Sequence, residues 1–389
     1  MHILHLTPYY APAYAFGGVV RSVEGMARAL TNRGHQVTVL TTTALDAKRV
    51  YEGPRESFLD GVRVIRVPNL IQGLRHRFNL STPEHLVARA QELLPQVDLL
   101  HCHEFRTVEN LLVTPIARRL GKPLVLSPHG TLNLHTGRST LKRGWDRVFS
   151  PAMALRFDHV IGLTQLELDE AKTYCQQFGA RQQPTEFSIV PNAVDAGIYA
   201  ALPGHDSFRA VCDLGEGPVC LYMGRLHERK GVTLLVEAFK AADVPDSRLV
   251  LAGPDDGLLK MLEPMLDERI VLTGYLNGQD RLAAFAAADV LALPAVGEGL
   301  PVVVLEAMAA HLPVIITAGC GLPEVAAAGA GLEVERTVSA LAEALRSLLT
   351  DSERRATMGR AGQTLVRQHF TWEQTGERLE AVYQQVLGQ

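Results

Sequence analysis

The sequence predicts an α/β protein built from two doubly wound, mainly parallel domains. A length of 389 residues suits two domains of ordinary size, each able to bury its own core. Short β-rich runs alternate with helical patterns along the whole chain. The alternation also starts afresh after residue 217, beyond a stretch without clear periodicity.

In the first half the apolar and β-branched runs at 1–7, 36–42, 62–67, 99–103, 123–127, 159–162 and 187–190 read as strands. Helical spacing appears between them at 20–32 and 82–94. In the second half, strands are expected at 219–223, 247–252, 269–273, 290–293 and 313–316. Helices are expected at 231–242, 278–288 and 302–310. The boundary is expected after Pro191-Asn192-Ala193-Val194-Asp195, which gives domains 1–195 and 196–370. A last helical pattern covers 372–387.

The composition is that of a soluble globular chain, 47% hydrophobic and 21% charged, with mean hydropathy of +0.06. A net charge of −4 gives no general case for nucleic-acid binding. Residues 1–200 hold 22 Lys+Arg against 17 Asp+Glu, and residues 201–389 hold 16 against 25. The positive first half could meet an anionic acceptor or a membrane surface, or be ordinary solvated faces. Five scattered cysteines form no C-x-x-C, which fits a reducing cytosol and argues against a disulfide frame or zinc knuckle. Neither a signal peptide nor an apolar run of transmembrane length is visible. The expected location is therefore cytoplasmic, with any membrane contact peripheral, at the inner face and through the N-terminal domain.

The most telling residues are Glu298 and Glu306. Glu298 lies in a Gly/Pro-rich loop, and Glu306 lies in an apolar run, Val302 to Ala309. An ionised side chain there is costly unless something polar meets it. Pro301 suits a first helical turn, and the free N–H groups of a helix start form a natural phosphate site. Glu306 follows at about 7–8 Å along the helix, roughly the offset from a phosphate to the ribose of the same nucleotide. A carboxylate that accepts both ribose hydroxyls is a known solution in dinucleotide sites.

This E-x7-E spacing, with its surrounding letters, resembles the signature of the retaining glycosyltransferases of family 4, which have the GT-B fold. That resemblance implies two Rossmann-like domains facing a deep interdomain cleft. It implies transfer of a glycosyl group from a nucleoside diphosphate sugar, of UDP or GDP type, to a hydroxyl of a glycan or lipid-linked acceptor. Retention at the anomeric carbon, no required metal and no cofactor are implied as well, in glycan, polysaccharide or lipopolysaccharide biosynthesis. In the family the first Glu contacts the donor sugar and the second binds the ribose.

Other segments extend the likeness. Gly224-Arg225-Leu226 and Glu228-Arg229-Lys230-Gly231 follow a strand, where Arg225 and Lys230 would hold the diphosphate and stabilise leaving-group charge. Ser127-Pro128-His129-Gly130 ends another strand, and the family's His here contacts the donor sugar. The backbone of Gly299, Leu300, Pro301 and Val302 would position the sugar with Glu298. Tyr275, in Thr273-Gly274-Tyr275-Leu276, would sit beside the base. Gly319-Cys320-Gly321 would clear space near the ligand. Gly17 and Gly18 resemble the family's first glycine-rich loop, which lines the acceptor side and nears the donor phosphates. The terminal helix, 371–389, is expected to cross back to the N-terminal domain.

Asp98-Leu-Leu-His-Cys-His-Glu104 looks like a metal cluster, but His101 and His103 fall on one strand face and Cys102 on the other. The family often has this pattern without metal. Arg138, Lys142, Arg143 and Arg147 surround Leu141 and Trp145, a segment that reads as a solvated face before a lipid-binding one. No Asp-x-Asp, nucleophile elbow or Walker A occurs. His311, Ala193 and Pro301 depart from the family's usual letters. A non-catalytic GT-B scaffold and a sugar-nucleotide epimerase are the rival readings.

Overall fold

The computed structural model describes residues 1–46, 48–71, 74, 80–132, 139–178 and 185–388. The chain divides into two compact units, Met1–Asn192 with Trp372–Gln389, and Ala193–Thr371.

The first unit is built on an eight-stranded sheet: β1 His2–Leu6, β2 Gln36–Thr42, β3 Glu56–Leu59, β4 Val62–Val67, β5 Leu99–His103, β6 Leu124–Ser127, β7 His159–Gly162 and β8 Glu186–Ile189. Its order is β3-β4-β2-β1-β5-β6-β7-β8, and all pairs are parallel except β3 with β4. Central strands are buried on both faces, which is why they read as apolar runs without strict alternation. Thr107 and Thr164 accept hydrogen bonds from the amides of Asn110 and Glu167, which starts the two helices that follow β5 and β7.

β3 was absent from the sequence expectation. Its turn is Asp60-Gly61, with φ of 49° and 80°, the positive-φ pair that a two-residue hairpin needs. The chain carried that signal, but β3 is a short edge strand with alternating partial exposure.

The terminal helix, Trp372–Leu387, belongs to the first unit. It packs on helix Gly18–Asn32, where Gly25 leaves room for the Trp372 indole. Arg33 donates to Glu380 at 2.7 Å, and Tyr383 is fully buried.

The second unit holds β9 Val219–Met223, β10 Arg248–Ala252, β11 Ile270–Gly274, β12 Val290–Leu293, β13 Val314–Thr317 and β14 Gly331–Val334, in the order β11-β10-β9-β12-β13-β14. Every pair is parallel. The edge strand β14 was not expected. Neither were helices Val338–Leu349 and Ser352–His369. Residues expected to be an aperiodic linker contain two short helices, Ala196–Ala200 and Asp206–Val211, within the second unit.

In both sheets the strand order reverses beside the first strand. The reversal falls between β1 and β5 in the first unit and between β9 and β12 in the second. Loops leaving the carboxyl ends of such strands diverge to opposite sides and leave a crevice, where open α/β sheets bind ligands. Among the described residues, no helix is long and apolar enough to cross a membrane.

Candidate active site

At the carboxyl edge of β9 and β12 the loops are tightly interlocked. Gly231 has a φ of 71° and caps helix Val232–Ala242, and a Cβ there would meet the Pro294 carbonyl oxygen at 2.3 Å. Gly319, after β13, would likewise meet the Ala295 oxygen at 2.5 Å. The Val296 amide donates to the Arg229 carbonyl, and the Glu298 amide to the Gly319 carbonyl, each at 2.9 Å. The Arg229 guanidinium donates to the Gly297 carbonyl at 2.9 Å. Three strand-end loops thus fix one another through backbone groups.

Within that frame Lys230 Nζ donates to Glu298 Oε2 at 2.7 Å, both side chains being largely covered. Arg225, half exposed at the end of β9, pairs with Asp256 at 2.7 Å, and its carbonyl accepts the buried Tyr222 hydroxyl. Leu300 is buried and anchors the loop that carries Gly299. Tyr275, after β11, is 47% exposed.

Pro301 is not in the first helical turn as expected. It caps helix Val302–Ala309 with extended backbone, φ −72° and ψ 110°. Val302 opens the helix instead.

Glu306 is 5% exposed and has an internal partner: the Arg281 guanidinium bonds one of its oxygens, and Tyr199 is near enough to interact with it electrostatically. The polar partner that its apolar setting demanded is therefore protein, in part. Arg281 lies on helix Gly278–Ala287, 25 residues earlier. Nothing in its local sequence marks it, because only the tertiary fold joins the two helices. Asp256, Tyr199 and Arg229 were missed for the same reason.

In the first unit, Gly17 caps helix Gly18–Asn32 with φ of 94°, and a Cβ on either glycine would meet nothing within 4 Å. Both sit at the carboxyl edge of β1, open to a ligand. His129 follows β6 with φ of 53°. Its loop is held by Glu167, which accepts from the Gly130 amide at 2.5 Å and the Leu163 amide at 2.7 Å. Burial raises the Glu167 carboxyl to about 7.

His129 is the end of a series. His5 Nδ1 lies 2.7 Å from His103 Nε2, and His103 Nδ1 lies 3.0 Å from His129 Nε2. His101 bonds the Tyr383 hydroxyl at 2.7 Å and the Ser127 hydroxyl at 2.8 Å. His101 and His103 do share a strand face, with ring centroids 4.2 Å apart. Desolvation lowers all four imidazoles, His5 to about 3 and His129 to about 4, so they are neutral at pH 7. Nitrogens of His5, His101 and His103 lie within 4.8 Å of one another, close enough to raise the question of a metal. A 2.7 Å nitrogen pair is a hydrogen bond, shorter than the ~3.3 Å between two nitrogens on one tetrahedral zinc. Both His101 nitrogens are already engaged.

Arg138 lies outside the described residues. The rest of the basic segment forms helix Ser139–Val148, on which Trp145 packs against the core while Leu141 and Val148 are exposed.

Two Rossmann-like units, each on a doubly wound and mainly parallel sheet, are the architecture of the GT-B class of protein. The family descriptions agree: "Glycosyltransferase Family 4" matches residues 16–197, and "Glycosyl transferases group 1" matches residues 207–365. A GDP-mannose-dependent monoacylated alpha-(1-6)-phosphatidylinositol monomannoside mannosyltransferase of Corynebacterium glutamicum is 33% identical over 258 residues, covering 62% of this chain and 67% of that one. A GDP-mannose-dependent alpha-(1-6)-phosphatidylinositol monomannoside mannosyltransferase of Mycolicibacterium smegmatis is 29% identical over 93% of this chain and 94% of its own. Anabaena HepE, solved in complex with UDP-glucose, superposes with a TM-score of 0.75 at 21% identity, covering 98% of this chain and 99% of that one. The chain belongs to the family 4 glycosyltransferases and is a glycosyltransferase.

Proposed function

We propose that this enzyme moves a glycosyl unit from a nucleoside diphosphate sugar to a hydroxyl of a glycan or lipid-linked acceptor, with retention and without a required metal. The observation that carries the reading is the Lys230–Glu298 pair at the reversal between β9 and β12. In the proposed site Lys230 turns to the diphosphate and Arg225 joins it, so both offset charge on the leaving group. Glu298 and the backbone of Gly299 to Val302 hold the sugar, and His129 contacts it. Glu306 keeps Arg281 on one oxygen and offers the other to the ribose. Tyr275 lies at the base, and the open backbone of Gly17 and Gly18 meets the acceptor side and phosphates. No Asp-x-Asp supplies a metal diphosphate site.

GDP-mannose in the names of two relatives and UDP-glucose in one structural neighbour support a GDP or UDP donor. The same relatives act on phosphatidylinositol mannosides, which supports a lipid-linked acceptor. Such an acceptor would bring the enzyme to a membrane surface peripherally, from the cytoplasm.

The test is incubation with UDP-, GDP- and ADP-sugars, with and without phosphatidylinositol-linked and oligosaccharide acceptors, with mass and NMR detection. The expected product is a glycoside with the donor's anomeric configuration, formed equally in EDTA. An isomerised sugar nucleotide formed without acceptor would make the protein an epimerase. Donor binding without turnover on any acceptor would make it a scaffold.

A further inference from the structure

Helix Ser139–Val148 and the short helix Ser150–Ala154 are nearly one rod. Phe149 between them keeps right-handed helical backbone. Its amide donates to the Trp145 carbonyl at 2.8 Å, and the Met153 amide donates to the Phe149 carbonyl at 3.1 Å. Helical spacing therefore runs through the junction.

Contacts fix the inner side of this rod. Trp145 and Phe149 pack on the core of the first unit. Asp146 accepts from Arg106 Nε at 2.8 Å and Nη2 at 2.7 Å, and from the hydroxyls of Ser150 and Tyr174. The positions turned away carry two rows. Leu141, Gly144, Val148 and Ala152, three or four residues apart, form one, and Arg143 and Arg147, four apart, form the other. Each of these residues is exposed, Leu141 by 48% and Val148 by 65%. A Cβ on Gly144 would meet nothing within 4 Å, so nothing in its own unit covers the apolar row there.

A single exposed apolar side chain is ordinary. A whole row without a polar member, lying beside a row of cations, is the pattern of a helix that rests in a bilayer interface. Residues 139–154 hold three bases and one acid, Asp146, which faces inward against Arg106. Neither Arg143 nor Arg147 pairs with a carboxylate among the described residues. The outward charge is thus positive and unopposed by the rod itself. Arg suits phosphate through its planar fork, and its apolar stem can lie along the lipid boundary while the head stays wet.

We infer that the outward face of residues 141–152 docks on an anionic phospholipid bilayer, with Leu141 and Val148 entering the acyl boundary and Arg143 and Arg147 meeting headgroup phosphates. The choice of a bilayer rests in part on the lipid-linked acceptor proposed above, whereas the face itself does not. Two apolar side chains and two cations give weak, reversible binding, which lets the enzyme leave the surface after a turnover.

The experiment is flotation of the full chain with vesicles of equal parts phosphatidylglycerol and phosphatidylcholine, and with phosphatidylcholine alone, with no sugar nucleotide or acceptor lipid present. Wild type should float with the anionic vesicles and bind neutral ones about tenfold or more weakly. Binding should be lost between about 0.1 M and about 1 M salt, as the screening length shortens from about 10 Å to about 3 Å. Arg143→Gln with Arg147→Gln should weaken it roughly 25-fold, about fivefold for each cation near the surface. Leu141→Gln with Val148→Gln should weaken it about tenfold or more while keeping the salt dependence. Both pairs are exposed, so urea midpoints should stay at the wild-type value and show that the variants fold. Wild type that does not float with anionic vesicles, or double variants that float as wild type does, would overturn the inference. So would a lipid-free wild-type dimer that Leu141→Gln with Val148→Gln dissolves, since the face would then be a protein interface. Vesicle binding that persists while no lipid-linked acceptor is glycosylated would count against the acceptor reading and uphold the docking face.

Discussion

Lys230 and Glu298, 68 residues apart, share an ion pair of 2.7 Å across two loops that are themselves joined by backbone hydrogen bonds. The pair is largely covered, so each member screens the cost of burying the other. In the proposed site an incoming diphosphate would compete with Glu298 for the ammonium and so free the carboxylate toward the sugar. Lys230→Ala should therefore lower turnover about a hundredfold, in the range for losing one donor to a developing anion. Steady-state kinetics with saturating donor checks it, and wild-type turnover would remove Lys230 from the mechanism.

Glu306 has a structural and a ligand-binding part to separate. Deleting it leaves the Arg281 guanidinium covered and unpaired, which costs stability. Glu306→Gln keeps shape and a hydrogen-bond acceptor while losing charge. Nucleotide affinity in this variant should weaken about 10- to 100-fold, as expected for hydrogen bonds to a charged group. Calorimetry with UDP and GDP measures it. Unchanged affinity would make Glu306 a structural partner of Arg281 alone.

Gly25→Ala tests the docking of the terminal helix. The added Cβ would lie 2.1 Å from the Trp372 ring, so helix or indole must shift. A loss of about 1–3 kcal/mol is expected from overpacking, read from urea unfolding. A double variant with Trp372→Leu should recover part of it. A neutral Gly25→Ala would mean that the helix contact is not tight.

Acid should destabilise the first unit early. His5, His101, His103, His129 and His159 all have folded-state pKa values depressed by burial. Below about 6.5 the unfolded chain binds protons that the folded chain refuses. Their contribution is therefore fully present above that pH and lost as pH falls. Glu104 and Glu167, raised to about 7, act in the opposite sense over the same window, but they are fewer. Urea midpoints should fall between pH 7 and pH 5. A flat profile would contradict neutral buried imidazoles.

Much of this was legible locally. The expected spans of β2, β4, β5, β7, β9 and β12 match residue for residue, because a doubly buried parallel strand is a bounded apolar run. The terminal helix matches as well. Among the strands, losses came at edges, where β3 and β14 bury little and so leave a weak pattern. The candidate loops were visible as letters: Arg225 and Lys230 after β9, Glu298 after β12, His129 after β6.

The sequence alone determined the two sheets, the loops at their carboxyl ends and the family, since these depend on residues close together in the chain. Tertiary structure decided the partners: Glu298 for Lys230, Asp256 for Arg225, Arg281 for Glu306, and His5 and His103 for His129. Single side chains that meet from distant segments leave no periodic trace in the sequence. Their pairing follows from strand order and register, which bring β1 beside β5 and β9 beside β12.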